Sequence, residues 1–264
     1  MKRELAVIGI IAGIAVGFGL GWFIPPLLTQ PEGKSLINQI KDRGELIVGT
    51  SADYPPFENF TWPYTGEIQG FDVNVSQWIA DELGVDLVMT HIDFTQLISA
   101  CKAGTIDMVA AAMTYTEERA ESLAPSITYI NSSNVVMVKN SSSLTTITDL
   151  TELVGVGTIG CQSGTVFQWD LEEIPGISFV AYPSAIVLMT NLLADNVVAA
   201  YVDKATFEFY NRTENLRIIY DSGTEPLSLW TRHGEPELLY VINEVILDAY
   251  ITGTMSILID EWFG

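Results

Sequence analysis

Short apolar runs alternate with helical hydrophobic patterns along most of the chain. The clearest helical pattern ends at Gly84, since glycine favours the left-handed conformation that follows many helices. Its apolar positions are Val75, Trp78, Ile79 and Leu83. The predicted strands cover residues 45–49, 85–89, 106–112, 135–138, 154–157, 179–181 and 197–202. The predicted helices cover residues 35–40, 73–83, 94–103, 147–153, 165–172 and 184–193.

Strands that alternate with helices in this way predict α/β units built on parallel strands. The alternation is interrupted near residues 128–132 and then begins again. Two such series predict two α/β lobes. The last stretch, residues 235–263, predicts an acidic amphipathic pair of helices interrupted at Gly253.

The first thirty residues differ from the rest of the chain. Lys2 and Arg3 precede an uncharged apolar run over residues 5–28, which is long enough to cross a bilayer as a helix. Basic residues on the short N-terminal side predict that this end stays in the cytoplasm. We expect an uncleaved single-pass transmembrane anchor over residues 1–28, a tether over 29–35 and an extracytoplasmic domain beyond. A cleaved signal segment, which would leave the domain secreted or periplasmic, is the alternative.

The composition excludes one class of partner. There are 12 Lys and Arg residues against 33 Asp and Glu, so the formal net charge is −21. We expect no nucleic-acid partner, because no basic surface would offset repulsion by the phosphates. The apolar content of 48% is sufficient for real hydrophobic cores.

The cysteines and the potential glycosylation sites change this picture little. Cys101 and Cys161 lie far apart without a cluster of His or Cys around them, so we expect neither a disulfide framework nor a metal site. We interpret both as small buried side chains. Five Asn-x-Ser/Thr triplets agree with a position outside the cytoplasm, although chance produces such triplets often. They begin at Asn59, Asn74, Asn131, Asn140 and Asn211.

An ordered series of motifs carries a family resemblance. The motifs are Gly49–Phe57 (GTSADYPPF), Gly70–Val73 (GFDV), Asp93-Phe94 with Leu97-Ile98, Gly104–Val109 (GTIDMV), Met113–Arg119 (MTYTEER), Gln162–Thr165 (QSGT), Val202-Asp203 and Glu261–Gly264 (EWFG). In this order and at these spacings, residues 40–264 resemble the polar amino-acid family of periplasmic binding proteins. This is solute-binding family three, which includes glutamine-, histidine- and lysine-arginine-ornithine-binding proteins.

The resemblance implies a two-lobed periplasmic-binding-protein-like (type II) α/β fold with two hinge strands. Lobe one is then expected over 36–128 plus 228–264, and lobe two over 131–226. The hinges are expected near Thr128–Ile130 and Glu225–Leu227. Ligand bound in the cleft would draw the lobes together by hinge closure.

The implied function is that of a substrate-binding receptor of an ABC importer of free L-amino acids. Its expected partners are an integral-membrane permease and a cytoplasmic ATPase, since no Gly-x-x-x-x-Gly-Lys-Ser/Thr loop occurs in this sequence. The membrane would be contacted through residues 5–28. We expect a monomeric ectodomain without cofactor, metal or catalytic residue.

Two charged residues match the groups that every free amino acid presents. The resemblance places Arg119 against the ligand carboxylate, to which a guanidinium can donate two parallel hydrogen bonds. Asp203 follows the apolar run Val197–Val202, so it stands at the carboxyl end of a strand, where open α/β sheets bind ligands. The resemblance assigns it to the ligand ammonium.

The remaining candidate residues are expected to surround the ligand. Tyr54 and Phe94 match the two aromatic residues that sandwich it, and the hydroxyl and backbone N–H of Thr114 are expected near its carboxylate. Gln162 and Thr165 form the side contributed by lobe two. Three further positions complete the expected lining: Ser51, Ala112 and Val166.

The motif also bears on the ligand side chain. Family members that bind cationic side chains often carry Asp at the position of Ser51, although Asp53 and Glu58 are close in sequence here. Val202 and Val166 add apolar surface. These features favour a neutral polar side chain, with glutamine as the first candidate.

Two other function classes stay open at this point. An enzyme on the same fold would need a general acid or base in the cleft, and the only histidines, His91 and His233, lie outside the matched motifs. We therefore expect no enzyme. An amino-acid sensing module that signals through a partner is the alternative to transport.

Overall fold

The computed structural model of the protein describes residues 34–61 and 66–264. The predicted anchor over residues 1–28 and nearly all of the tether lie outside these residues. Within the described ranges, no single helix is long and apolar enough to cross a membrane. The two C-terminal helices pass the same test of length and composition only as a pair that is bent by 85°.

The described residues form short strands and helices in alternation. The strands are β1 Glu45–Thr50, β2 Asp53–Tyr54, β3 Glu58–Phe60, β4 Ile68–Gln69, β5 Asp86–His91, β6 Met108–Val109, β7 Ala124–Lys139, β8 Thr158–Gln162, β9 Ser178–Tyr182, β10 Ala199–Asp203 and β11 Leu216–Thr231. The α-helices are α1 Leu36–Arg43, α2 Phe71–Leu83, α3 Leu97–Ala103, α4 Glu117–Ser122, α5 Val166–Glu172, α6 Ala185–Leu193, α7 Lys204–Asn211, α8 Pro236–Thr252 and α9 Thr254–Phe263. Two 3₁₀ turns cover Phe94–Gln96 and Leu150–Leu153.

Eight of these strands form one mixed sheet in the order β5-β1-β6-β11-β7-β10-β8-β9. At one end β1 lies parallel to β5 and β6, and at the other end β8 lies parallel to β9 and β10. The central strands β7 and β11 run antiparallel to each other and to their outer neighbours. The predicted architecture of two α/β lobes is thereby confirmed, with a mixed sheet in place of purely parallel ones.

The two central strands join the halves of the molecule. β7 and β11 are each 16 residues long and pair along nearly their whole length, with register shifts that include one between Leu227 and Ser228. Ile130 lies opposite Leu227, so the two segments predicted as hinges are paired with each other. The lobe limits and hinge positions themselves stay a prediction.

Local backbone geometry explains where the strand predictions differ from the structure. The strand predicted over residues 154–157 is wrong: these residues form a turn, and β8 begins at Thr158. Gly155 (φ 82°) and Gly157 (φ 133°) adopt conformations that cannot continue a strand ladder. Residues 106–112 contribute only the short strand β6.

Both cysteines are free and fully buried, which confirms their interpretation as small core side chains.

A buried carboxylate links the cleft side of the first lobe to the central strand β7. Asp72, in the first turn of α2, is fully buried and accepts hydrogen bonds from the Ala112 backbone N–H (2.8 Å) and the Tyr129 hydroxyl (2.8 Å). Ala112 has φ of 44°, a conformation that costs energy for a residue with a β-carbon. The hydrogen bond from its N–H therefore holds a strained backbone in place.

We expect the substitution Tyr129→Phe to lower the free energy of unfolding by about 1–3 kcal/mol, because it leaves the buried Asp72 carboxylate with one donor fewer. Urea denaturation without ligand measures this. Tyr240→Phe is the matched control, since Tyr240 is 64% exposed and its removal of one hydroxyl should leave stability unchanged. An equal loss in both variants would contradict a structural role for the Tyr129 hydroxyl.

Candidate functional site

A small cavity lies between the two halves of the described chain. Its free volume of about 10 Å³ is roughly that of one water molecule, so a ligand as large as an amino acid enters only when the lining moves apart. The lining combines aromatic, small and charged side chains from both halves. It consists of Tyr54, Phe94, Ala111, Ala112, Thr114, Arg119, Gln162, Thr165, Val166, Phe167 and Asp203.

Arg119 reaches the cavity from the short helix α4. The Thr116 hydroxyl caps this helix by accepting a hydrogen bond from the Arg119 N–H (3.1 Å). The guanidinium donates to the Thr114 carbonyl (Nη1, 2.7 Å) and to the Gly164 carbonyl (Nη2, 3.1 Å). It also lies over the rings of Phe94 (5.5 Å) and Trp169 (4.9 Å). These contacts fix the orientation of the Arg119 guanidinium.

The Arg119 guanidinium has no anionic partner of its own in the described part of the chain. The residue is only 3% exposed, and burial lowers its pKa to about 10. A buried cation without a counter-charge is costly, and hydrogen bonds to a carboxylate offset much of that cost. The arrangement therefore suits an anionic group that enters from the cavity.

Asp203 supplies the opposite charge from the end of β10. Its Oδ2 accepts a hydrogen bond from the Tyr54 hydroxyl (2.7 Å), and that hydroxyl accepts one from the Asp203 N–H (3.1 Å). Its Oδ1 is buried and accepts no hydrogen bond of normal geometry from the described residues, although the Ser132 hydroxyl is near enough to favour the ionised carboxylate. Burial raises the pKa of this carboxyl to about 6, an effect that the hydrogen bond from Tyr54 partly opposes. The Oδ1 atom suits a cationic donor from the cavity.

The part of the cavity lining that the second half of the chain contributes lies at and after the end of β8. The Thr165 hydroxyl donates to the Gln162 carbonyl (2.6 Å), which fixes the turn that leads into α5. The Gln162 side chain donates to Asp53 Oδ2 (3.4 Å), a residue of the first half. Val166 and Phe167 close this side with apolar surface.

The structure brings together nine of the ten residues predicted to bind ligand. Ser51 lines a neighbouring cavity instead, together with Asp53. Sequence reasoning did not assign Phe167, Trp169 or Asp53 to the site. The sequence could have pointed to Asp53, because it is the charged residue of an otherwise uncharged motif and directly precedes Tyr54, a predicted cleft residue. The roles of the individual residues stay predictions.

The sequence model of the bacterial extracellular solute-binding proteins, family 3, matches residues 46–264. The match covers most of the chain, so the protein belongs to this family and the predicted resemblance is confirmed.

Individual relatives agree with this membership. The chain is 27% identical to the L-cystine-binding protein TcyJ of Escherichia coli K12, over 88% of this chain and 87% of that protein. A crystal structure of a mutant of ArgBP from T. maritima is similar with a TM-score of 0.80 and 32% identity, covering 86% of this chain and 98% of ArgBP. The ancestral amino acid-binding protein AncCDT-1, a precursor of cyclohexadienyl dehydratase, gives a TM-score of 0.82 and 26% identity over 87% of this chain and all of its own.

The raised pKa of Asp203 generates a prediction about stability without ligand. The pKa is about 6 in the folded state and 3.8 ordinarily. The protonated carboxyl therefore does not lower the free energy of unfolding at low pH, whereas the ionised carboxylate lowers it by the full amount above pH 6. We expect Asp203→Asn to raise the free energy of unfolding at pH 8 by roughly 2–3 kcal/mol, and to leave it nearly unchanged near pH 4. Thermal unfolding across this pH range measures the difference.

The matched control is Asp248→Asn, which removes the same charge from an exposed position. Its effect on stability should be small at every pH. A destabilisation by Asp203→Asn at pH 8 would show that this carboxylate has a partner in the free protein.

Proposed function

We propose that the protein is the extracytoplasmic substrate-binding receptor of an ABC amino-acid importer, and that it captures a free L-amino acid between its lobes by hinge closure. One observation carries this proposal. Arg119 and Asp203 face the same cavity: the buried guanidinium forms no ion pair with a described residue, and one oxygen of the buried carboxylate accepts no hydrogen bond of normal geometry from them. A free α-amino acid presents the complementary carboxylate and ammonium on one carbon atom.

In this proposal Arg119 binds the ligand carboxylate, and Thr114 adds its hydroxyl and backbone N–H. Asp203 accepts a hydrogen bond from the ammonium through Oδ1. The rings of Tyr54 and Phe94 provide flat apolar contact, which requires little loss of conformational entropy. Once the cleft excludes water, each of these charges gains a partner in place of solvent.

Three hydrogen bonds across the cleft would stabilise the closed form. Tyr54 bonds Asp203, Arg119 bonds the Gly164 carbonyl, and the Thr206 hydroxyl donates to the Pro55 carbonyl (3.2 Å). Each pair joins residues from different halves of the chain. A bridging ligand adds its own bonds to both halves, so its binding energy favours the closed form over the open one.

The relatives support an amino-acid ligand and leave its side chain open. TcyJ is named as a cystine-binding protein, and ArgBP has been crystallised in an arginine-bound form. The sequence-based preference for glutamine therefore stays a hypothesis for the ligand panel below. The compared curated relatives are named as binding proteins, which supports a receptor without chemistry of its own. We also propose that a permease and an ATPase are its partners and that residues 5–28 anchor it to the membrane.

The proposal predicts that one or a few amino acids raise the melting temperature of the purified full chain. A ligand that binds only the folded form at a thousandfold excess over its Kd stabilises it by about 4 kcal/mol. Differential scanning fluorimetry with each common L-amino acid at millimolar concentration measures the shift. We expect Arg119→Lys to abolish most of it, because a lysine cannot donate two parallel hydrogen bonds to one carboxylate.

Arg212→Lys is the matched control, since Arg212 is exposed and far from the cavity lining, and its ligand-induced shift should equal that of the unaltered protein. The proposal would be overturned if no amino acid shifted the melting temperature of protein shown to be folded by circular dichroism. A shift that survives in Arg119→Lys would instead remove Arg119 from the proposed site.

A further inference from the structure

Glu58, the first residue of β3, is a buried acidic residue outside the cavity lining. Its side chain is fully buried, and so is Tyr54, which lies opposite it on β2. The backbone just before Glu58 packs against the start of α2, because the Asp72 N–H donates a hydrogen bond to the Phe57 carbonyl (3.0 Å). A β-carbon on Gly70 would clash with the same carbonyl. Glu58 and Asp72 are therefore held close to each other by the backbone.

The surroundings of Glu58 provide nothing that stabilises a negative charge. Neither of its carboxyl oxygens accepts a hydrogen bond of normal geometry from a described residue, and no ion pair in the described ranges includes it. The titratable groups that face it are Asp72 on α2, Asp53 on β2, Asp203 on β10 and the Tyr129 hydroxyl on β7. An ionised Glu58 would thus be a buried anion among other acids, which is costly.

The contact with Asp72 indicates where a proton lies. The Glu58 and Asp72 side chains form a hydrogen bond, and two carboxyl groups can do so only if one of them carries a proton. Asp72 already accepts hydrogen bonds from the Ala112 N–H and the Tyr129 hydroxyl, and both favour its ionised form. Glu58 has no such donors among the described residues. Burial raises its pKa well above the ordinary value, and the charge of Asp72 acts in the same direction.

We propose that Glu58 is a positioning residue that stays protonated at neutral pH and donates its proton in a hydrogen bond to Asp72. Asp72 extends the effect in two directions. Through the Ala112 N–H it holds the strained backbone of a residue that lines the cavity, and through the Tyr129 hydroxyl it contacts the central strand β7. Glu58 thereby supports the cleft without touching the ligand. Its effect on ligand binding rests on the proposed function.

A protonated Glu58 makes stability depend on pH. The unfolded chain ionises Glu58 near its ordinary pKa of 4.5, so folding above that pH takes up one proton. The folding equilibrium constant then falls by about tenfold for each pH unit. Three other buried acids, Asp53, Asp72 and Asp203, follow the same trend only up to their pKa values of about 6. The contribution of Glu58 is therefore best separated between pH 6.5 and 8.

The first test uses Glu58→Gln, which keeps a donor toward Asp72 and cannot ionise. Urea denaturation of the purified full chain without ligand, from pH 6.5 to pH 8, measures its folding equilibrium constant. We expect the ratio of this constant to that of the unaltered protein to rise about tenfold per pH unit. Glu82→Gln is the matched control, because Glu82 is exposed on α2 and its ratio should not change with pH. A constant ratio for Glu58→Gln would overturn the inference.

Infrared spectroscopy observes the same proton directly. At pH 8, the difference spectrum between the unaltered protein and Glu58→Gln should contain the carbonyl stretch of one protonated carboxyl group. The corresponding spectrum for Glu82→Gln should contain only carboxylate bands. If Glu58→Gln also removes carboxylate bands, Glu58 is ionised in the folded protein and the inference is wrong.

Glu58→Leu tests the positioning role in binding. Leucine is similar in size and suits a buried site, but it withdraws the donor from Asp72. Isothermal titration calorimetry at pH 7, with the amino acid identified by the ligand panel above, should give an affinity about tenfold lower than in the unaltered protein. Glu58→Gln should recover most of this loss. An undiminished affinity in Glu58→Leu would overturn the positioning role. If no amino acid binds, the proposed function fails, whereas the urea and infrared results still decide whether Glu58 is protonated.

Discussion

The site depends on one electrostatic constraint: two buried, oppositely charged groups share a cavity without neutralising each other. Among the described residues, the Arg119 guanidinium donates only to carbonyl oxygens, and Asp203 Oδ1 accepts no hydrogen bond of normal geometry. A protein interior disfavours both conditions, so the surrounding structure must hold the groups apart and oriented. Thr116 caps the helix that carries Arg119, and the Tyr54 hydroxyl engages the other oxygen of Asp203. A zwitterionic ligand satisfies both charges at once.

In the proposed function, the chain topology couples the two charges to hinge closure. Arg119 precedes the long strand β7, whereas Asp203 lies between β7 and β11, so the paired strands separate the two charges into different halves of the chain. A ligand that pairs with both charges necessarily bridges the halves. In such an arrangement, the free energy of binding is available to close the cleft, and the long antiparallel pair offers the place to bend.

Two further buried carboxylates, Asp72 and Asp53, accept hydrogen bonds that support the residues around the cleft. Asp72 ties the strained backbone of Ala112 to the Tyr129 hydroxyl on β7, which connects the cleft to a central strand. Asp53 ties the first half to the start of α6 through the Ala185 backbone N–H. Asp72 and Asp53 each accept two hydrogen bonds from donors on other elements, so both carboxylates tie separate segments together.

The sequence by itself determined the family, the α/β class and most of the cavity lining, because motif order and hydrophobic spacing are local properties that survive without coordinates. It placed Ser51 among the ligand-binding residues, whereas the structure places both Ser51 and Asp53 beside a neighbouring cavity, because the cavity that a buried side chain lines depends on tertiary packing. It also missed the full length of β7 and β11, whose pairing joins distant residues. Only the tertiary structure decided that Tyr54 meets Asp203 and that Asp53 meets Ala185. Those contacts join segments more than a hundred residues apart, and burial removes the water that would otherwise have satisfied each group.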